Sequence, residues 1–214
     1  MKIIKRKKKL KFVNIVGTLL IFAVFPMRAW TGTSQIIGKL DWEEIKSDQP
    51  NANAVGILFS RTNSFCAGTH LGAGLVVTAA HCAQDFPQRV SFNYPGGTYF
   101  DCDHAFKVDT FQDIAIFQCD YDGPSVKIGE VFTKEIYILH NQCNYIKDPY
   151  CVLTKKISKG VATDICDRIE HTADTLPGSS GAPIFNSKDE LVGIHQGGNL
   201  NVEINYGRRF RGSI

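Results

Sequence analysis

Val76-Val77-Thr78-Ala79-Ala80-His81-Cys82, read together with Leu176-Pro177-Gly178-Ser179-Ser180-Gly181-Ala182-Pro183, decides how this chain is built. The first stretch sets a histidine and a cysteine at the end of an apolar, β-prone run. The second sets a serine in a Gly-flanked tight turn that leads into Ile184-Phe185. Outward from these two, short β-rich runs recur at 55–59, 74–77, 114–117, 135–139, 152–157, 182–185 and 191–194, separated by Gly, Pro, Asn and Asp. Helical periodicity is scarce, so an all-β barrel or sandwich architecture is expected. The polar stretch Asp120-Tyr121-Asp122-Gly123-Pro124-Ser125 divides the chain behind its leader into two comparable halves.

With 214 residues the chain has room for one large all-β domain or two small barrels sharing an interface. Its charge is uneven: residues 1–28 hold 8 of the 24 basic residues and no acidic one. Removing those 8 leaves 16 basic against 21 acidic residues, so the net +3 gives no footprint for nucleic acid. The basic start runs into the apolar stretch 12–25, which has the length of a signal-peptide core and is short for a membrane span. Residues 1–29 are therefore expected to be a signal peptide, with an uncleaved anchor as the alternative because Met27 is bulky for a cleavage site ending at Ala29. A membrane is a partner only in that second case. Residues 30–54 read as an extension or prosegment, and the location as secreted or periplasmic.

All seven cysteines lie beyond the leader, in a compartment where disulfides persist. An odd count leaves one thiol over, and six cysteines permit 15 pairings. Cys102 and Cys119 flank the strand after Asp113, while Cys143 and Cys151 can close a short loop, which leaves Cys166 odd. Neither a CxxC pair nor an HExxH motif occurs, so no metal and no cofactor are expected.

A serine hydroxyl is a weak nucleophile until an imidazole takes its proton, and the imidazolium is then stabilised by a carboxylate. A lone histidine is more often structural, yet His81 stands in a setting that the other five histidines lack. Asp113 heads Asp113-Ile114-Ala115-Ile116-Phe117, an acid entering an apolar strand where an unpaired charge is costly. Asp101, Asp103 and Asp109 have the more polar surroundings of solvated turns. Ser180 in Gly178-Ser179-Ser180-Gly181 has small neighbours that let a substrate carbonyl approach the backbone. The G-x-S-x-G elbow of α/β-hydrolases does not fit, because its last position is Ala182 and that fold needs the order Ser, acid, His.

Thr78-Ala79-Ala80-His81-Cys82 and Gly178-Ser179-Ser180-Gly181-Ala182-Pro183 resemble the TAAHC and GDSGGP segments of the chymotrypsin-like serine proteases. The Asp113 strand resembles their DIAL-type segment, and the order His81, Asp113, Ser180 is theirs. The resemblance implies two antiparallel six-stranded β-barrels, over about 55–122 and 126–214, with the active site between them. It implies His81 as base, Asp113 as its orienting acid and Ser180 as nucleophile. It also implies a Cys66–Cys82 disulfide closing the histidine loop and an oxyanion hole from the amides of Gly178 and Ser180, worth roughly 3 kcal/mol per donor. Its partners are protein or peptide substrates, and a monomer is expected.

The departures carry information as well. Zymogen-activated members place an acid before the nucleophile to bind a newly cut N-terminus; here that position is Ser179, so activation by that ion pair is not available. Gln35-Ile36-Ile37-Gly38 has only a faint likeness to their IVGG start and is read as coincidence. Thr175, Gly178-x-Ser180-Gly181-x-Pro183, Phe185-Asn186 and Gly193-Ile194-His195-x-Gly197-Gly198 are similar to the bacterial glutamyl endopeptidase branch. In that branch the residues matching Thr175 and His195 bind a glutamate side chain in the S1 pocket, beside Gly197 and Gly198. Both side chains can donate hydrogen bonds to a carboxylate. Asp174, in contrast, falls where trypsin-like enzymes bind Arg or Lys, so acidic and basic P1 readings compete, with the acidic one favoured. A binding protein of this fold that has lost catalysis is the alternative from another class.

Overall fold

The computed structural model describes residues 35–45, 48–60, 64–84, 88–143, 148, 150–199 and 201–211. The expected leader at 1–29 lies outside the described residues. Among the described residues, thirteen strands make up nearly all of the regular structure. After the short β1 (Glu43–Glu44), six strands form the first barrel: β2 (Val55–Phe59), β3 (Phe65–Gly72), β4 (Leu75–Thr78), β5 (Gln88–Ser91), β6 (Phe100–Asp109) and β7 (Ile114–Cys119). They close in the order β2-β3-β4-β7-β6-β5, with β5 returning to β2. The second barrel takes β8 (Glu135–Gln142), β9 (Thr154–Ile165), β10 (Arg168–His171), β11 (Pro183–Asn186), β12 (Leu191–Asn199) and β13 (Ile204–Arg209). Their order is β8-β9-β10-β13-β12-β11, and the β8–β9 ladder closes the ring, with β1 added along β9. Every pairing between these strands is antiparallel, and the expected pair of six-stranded barrels is what the chain forms.

Side chains alternate across a strand, so an apolar pair on a strand buried on both faces serves two cores at once. Val76 joins the first-barrel core with Leu58, Val90, Phe92 and Phe117, while Val77 joins a second cluster between the barrels. Ile116 and Phe117 divide in the same way. From the other side, Ile138 and Ile184 fill the second barrel with Ile169, while Leu139 and Phe185 meet Val77 and Ile116. Each strand that carries the interface therefore reads as an uninterrupted apolar run rather than an alternating one. Fully burying one such side chain contributes about 1.5–3 kcal/mol, which makes this shared seam a rigid reference for whatever is mounted on it.

Three disulfides add to the packing: Cys66–Cys82 between β3 and the turn after β4, Cys102–Cys119 across the β6–β7 ladder, and Cys143–Cys151 closing a short loop. Cys166 is the free and exposed thiol, in a two-residue hairpin turn with Asp167 where both residues take positive φ. The chain between the barrels is fixed from both sides. The His70 ring receives the Gly74 amide at Nε2 and donates from Nδ1 to the Pro124 carbonyl, while its own carbonyl accepts from the Val126 amide.

Candidate active site

β4 ends at Thr78, and after the extended Ala79 a single 3-10 turn over Ala80–Ala83 lifts His81 out of the barrel wall. The Cys66–Cys82 bond ties that turn back to β3. Asp113 enters β7 from the opposite side with φ +53°, a left-handed backbone unusual for a residue with a side chain. Both carboxylate oxygens are directed at one residue. Oδ1 accepts the backbone N–H of His81 at 2.8 Å, and Oδ2 accepts the ring Nδ1–H at 2.8 Å. Holding the proton on Nδ1 leaves Nε2 as the bare nitrogen, the arrangement needed for a base. The two side chains keep 37% and 29% of their surface, so the nitrogen can be reached from solvent.

The turn carrying Ser180 is built onto the same two strands. The Ser180 carbonyl accepts the Ala67 amide of β3 at 2.8 Å, and Thr78 Oγ1 donates to the Ala67 carbonyl at 2.8 Å. Gly181 has φ +83°, and a Cβ there would lie 2.2 Å from Thr78 Oγ1 and 2.3 Å from the Ala67 carbonyl oxygen. Only glycine allows the turn to sit this close to the strand leading to His81. Gly178 has φ +98°, and an added Cβ would lie 2.1 Å from the ring of Phe65, next to Cys66. The Ser180 hydroxyl makes no hydrogen bond to the described residues, His81 included; such contacts are commonly loose before substrate binds.

Ser179 faces the other way and is fully buried. Its Oγ accepts from Gln142 Nε2 at 3.0 Å and from the Leu176 amide at 3.3 Å, and lies 2.7 Å from His140 Nδ1. With both acceptor sites used, the hydroxyl donates to Nδ1, so Nε2 of His140 carries the proton and donates to Ser158 Oγ at 3.2 Å. Burial first, then the charge of Lys156 and the neighbouring His171, push the His140 pKa down to about 3. This second serine–histidine pair is sealed from solvent and has no carboxylate behind it; it orders the turn and is not placed to meet a substrate.

His195 is brought together with a residue that sequence reasoning missed, His171. His195 is wholly buried, and its Nδ1 lies 3.1 Å from Nε2 of His171 on β10. Burial holds both rings neutral, with His171 lowered to about 3 and His195 well below the usual imidazole range. His171 was legible only as a histidine three residues before Asp174 on the strand leading to the turn. Thr175 is also buried, and its Oγ1 has no hydrogen-bond partner. Gly197 and Gly198 follow a β-bulge in β12, opposite Tyr206 and Asn205 of β13. Asp174 is engaged elsewhere: Oδ1 accepts the Ile37 amide at 2.7 Å and Oδ2 the Asp41 amide at 3.0 Å.

Gln35 adds a second anchor to that N-terminal stretch. Its backbone N–H donates to Asn205 Oδ1, and its carbonyl accepts from Asn205 Nδ2 and from the Thr175 amide. The Gln35-Ile36-Ile37-Gly38 stretch, for which the sequence offered no role, thus lies against the residues expected to line S1. Among the described residues, no group of three or more His, Cys, Asp or Glu is placed to hold a metal. A cavity of about 610 Å³ under the connection between the barrels, lined by His70, Gly74, Gln118, Tyr121 and Ser125, contains none of these site residues.

Comparison with known proteins agrees with this geometry. Glutamyl endopeptidases of Staphylococcus aureus strains MW2 and MSSA476 are each 30% identical over 129 residues, which is 55% of this chain and 39% or 38% of theirs. The chain thus spans less than half the length of these curated relatives. A solved Glu endopeptidase in complex with MPD superposes with a TM-score of 0.70 at 18% identity, covering 83% of this chain and 94% of that one. A human pathogenic astrovirus serine protease superposes at 0.61 and 16% identity, covering 77% and 94%. At such identities the likeness speaks for the fold. The family model for the trypsin-like peptidase domain matches residues 56–194, from β2 through His81, Asp113 and Ser180 into β12, and to that family the chain belongs.

Proposed function

We propose that this chain is an exported serine endopeptidase that cleaves protein or peptide substrates through an acyl-enzyme formed on Ser180. The observation that carries the reading is the paired grip of Asp113 on His81, which fixes the proton on Nδ1 and leaves Nε2 bare. His81 takes the Ser180 proton as the hydroxyl attacks the scissile carbonyl and returns it to the leaving amine; water then repeats the cycle on the ester. The amides of Gly178 and Ser180 face the developing oxyanion, and a side chain at 178 is excluded by Phe65. The three disulfides support an oxidising destination, in keeping with a leader at 1–29. The division into barrels over 55–122 and 126–214, and a monomeric state, belong to the same reading.

Glu or Asp is the proposed P1 residue. Thr175 Oγ1 is a buried hydroxyl lacking a partner, and His195 stands next to His171, a neutral neighbour that can accept or supply a proton. A substrate carboxylate can accept a hydrogen bond from the Thr175 hydroxyl and from an imidazole N–H. The rival basic P1 needs a free carboxylate at Asp174, yet both of its oxygens are occupied by backbone amides. The name of the staphylococcal relatives agrees with an acidic preference. The test is digestion of a mixed peptide library by purified mature protein, with Ser180→Ala as the control. Cleavage after Glu or Asp that vanishes in the control is expected. Cleavage after Arg or Lys overturns the P1 assignment, and a library left intact by fully processed protein favours a binding protein of this fold.

A further inference from the structure

Gln196 occupies the bulge between His195 and Gly197 on β12, in the second barrel. Its side chain reaches across to the first barrel. The amide Nε2 lies 2.6 Å from the carbonyl oxygen of Gln112 and 3.1 Å from that of Asp113. A primary amide has two N–H donors on one nitrogen, so it can serve two successive carbonyls at once. A residue with a single donor, or none, cannot.

Those two carbonyls border the one place where the acid's backbone is strained. Asp113 takes φ +53°, and the same conformation lets its two oxygens meet both the amide and the ring of His81. The left-handed region costs a non-glycine residue free energy and persists only where surrounding contacts determine it. Beyond the Asp109–Ile114 pairing that closes the hairpin, the contacts here are the His81 pair on the side-chain side and Gln196 on the carbonyl side. The turn before Asp113 offers little else, since Phe111 is almost fully exposed and the Gln112 amide is capped only by Asp109.

From this geometry we infer that Gln196 is a positioning residue for catalysis: a two-pronged clasp from the second barrel that fixes the Gln112–Asp113 backbone, and through it the orientation of His81. It rests on the endopeptidase reading for its kinetic consequence but not for its structural one. Because β12 also carries His195, Gly197 and Gly198, the strand proposed to line S1 is the same one that steadies the acid. One element thereby aligns the substrate pocket of one barrel with the base of the other.

Gln196→Met keeps the length of the side chain and removes both donors. Gln196→Glu keeps the shape but, when ionised, opposes oxygen to two carbonyl oxygens. Expected for Met is a fall in kcat of about tenfold with KM within about twofold, because the lost contacts act in the transition state and not on ground-state binding. Glu is expected to be worse than Met. The low-field proton resonance of the His81 Nδ1–H···Asp113 bond is expected to sharpen in wild type and to broaden by exchange in both variants. That readout needs no turnover, so it decides the clasp even if the chain cleaves nothing. Should Met not fold, Glu carries the same comparison, its resonance followed as pH is lowered and the carboxyl regains a donor. A wild-type kcat together with an unaltered resonance in either variant overturns the inference.

Discussion

His81 and His140 stand in opposite surroundings: His140 touches Ser179, and His81 is the base proposed for the neighbouring Ser180. His81 is partly open and is backed by a carboxylate on Nδ1, which leaves Nε2 bare. His140 is sealed, is backed by hydroxyls on both nitrogens and is kept neutral by burial. Among the described residues, the one histidine–serine contact of this turn is thus the one without chemistry to do. Access and a counter-charge make a base; enclosure and complete hydrogen bonding make a structural pin. The pin at Ser179 holds the turn that carries Ser180.

The largest effect is expected from removing the counter-charge. Asp113→Asn preserves the shape but not the charge, and kcat should fall by about 10⁴, as expected when the base loses its tautomer, with the circular dichroism spectrum retained. A loss below tenfold would mean that His81 does not depend on Asp113. On the other side of the turn, Ser179→Ala leaves three polar groups around an empty site. A drop in kcat of ten- to a hundredfold, about 1–3 kcal/mol of misplaced oxyanion-hole donors, is expected with KM little changed. Equal losses from the Ser179 and Ser180 variants would erase the contrast between pin and nucleophile.

Next in size is the pH dependence of stability. His140 and His171 are lowered to about 3 in the folded state, and His195 is lowered too, so between roughly pH 6.5 and 3 the unfolded chain binds more protons than the folded one. Stability is complete above the unfolded value and is lost on acidification, at up to about 1.4 kcal/mol per pH unit for each histidine. Urea midpoints measured from pH 7 to 4 should fall steadily, and His140→Gln should flatten the slope. The smallest effect is expected at Asp174. Asp174→Asn removes one acceptor for the 37–41 backbone and should cost about 1 kcal/mol without changing P1 preference, read from melting and library digestion.

How much of this was visible in the residues depends on where each partner comes from. Strands buried on both faces announced themselves: Val76-Val77, Ile116-Phe117 and Ile184-Phe185 are apolar runs because each side chain meets a different core. β3, β10 and β13 were not read from the sequence. They carry Thr69, His70, His171 and Asn205, polar residues that are buried here because tertiary neighbours surround them, which local pattern cannot reveal. β9 runs to residue 165, well past the apolar stretch that marked its start, because its lysines lie along a ladder with β8. Disulfide pairing was legible, Cys66–Cys82 through family likeness and the other two as cysteines flanking one strand or closing a short loop. The grip of Asp113 on His81 spans 32 residues and was anticipated only through family likeness. The His171–His195 contact, the Ser179 pin and the Gln196 clasp had no local signal at all.

Gln35 and Asn205 exchange hydrogen bonds across 170 residues of sequence, and the same anchor holds the Thr175 amide. Closing so long a span carries an entropic penalty that must be met before the contact forms, which places it among the late events of folding. The residues proposed to floor the specificity pocket are thus stitched from the two extremes of the described chain. A chain made only as far as β7 has the histidine turn and its acid in hand but lacks that floor. The floor proposed for the pocket is therefore complete only once β13 has been made.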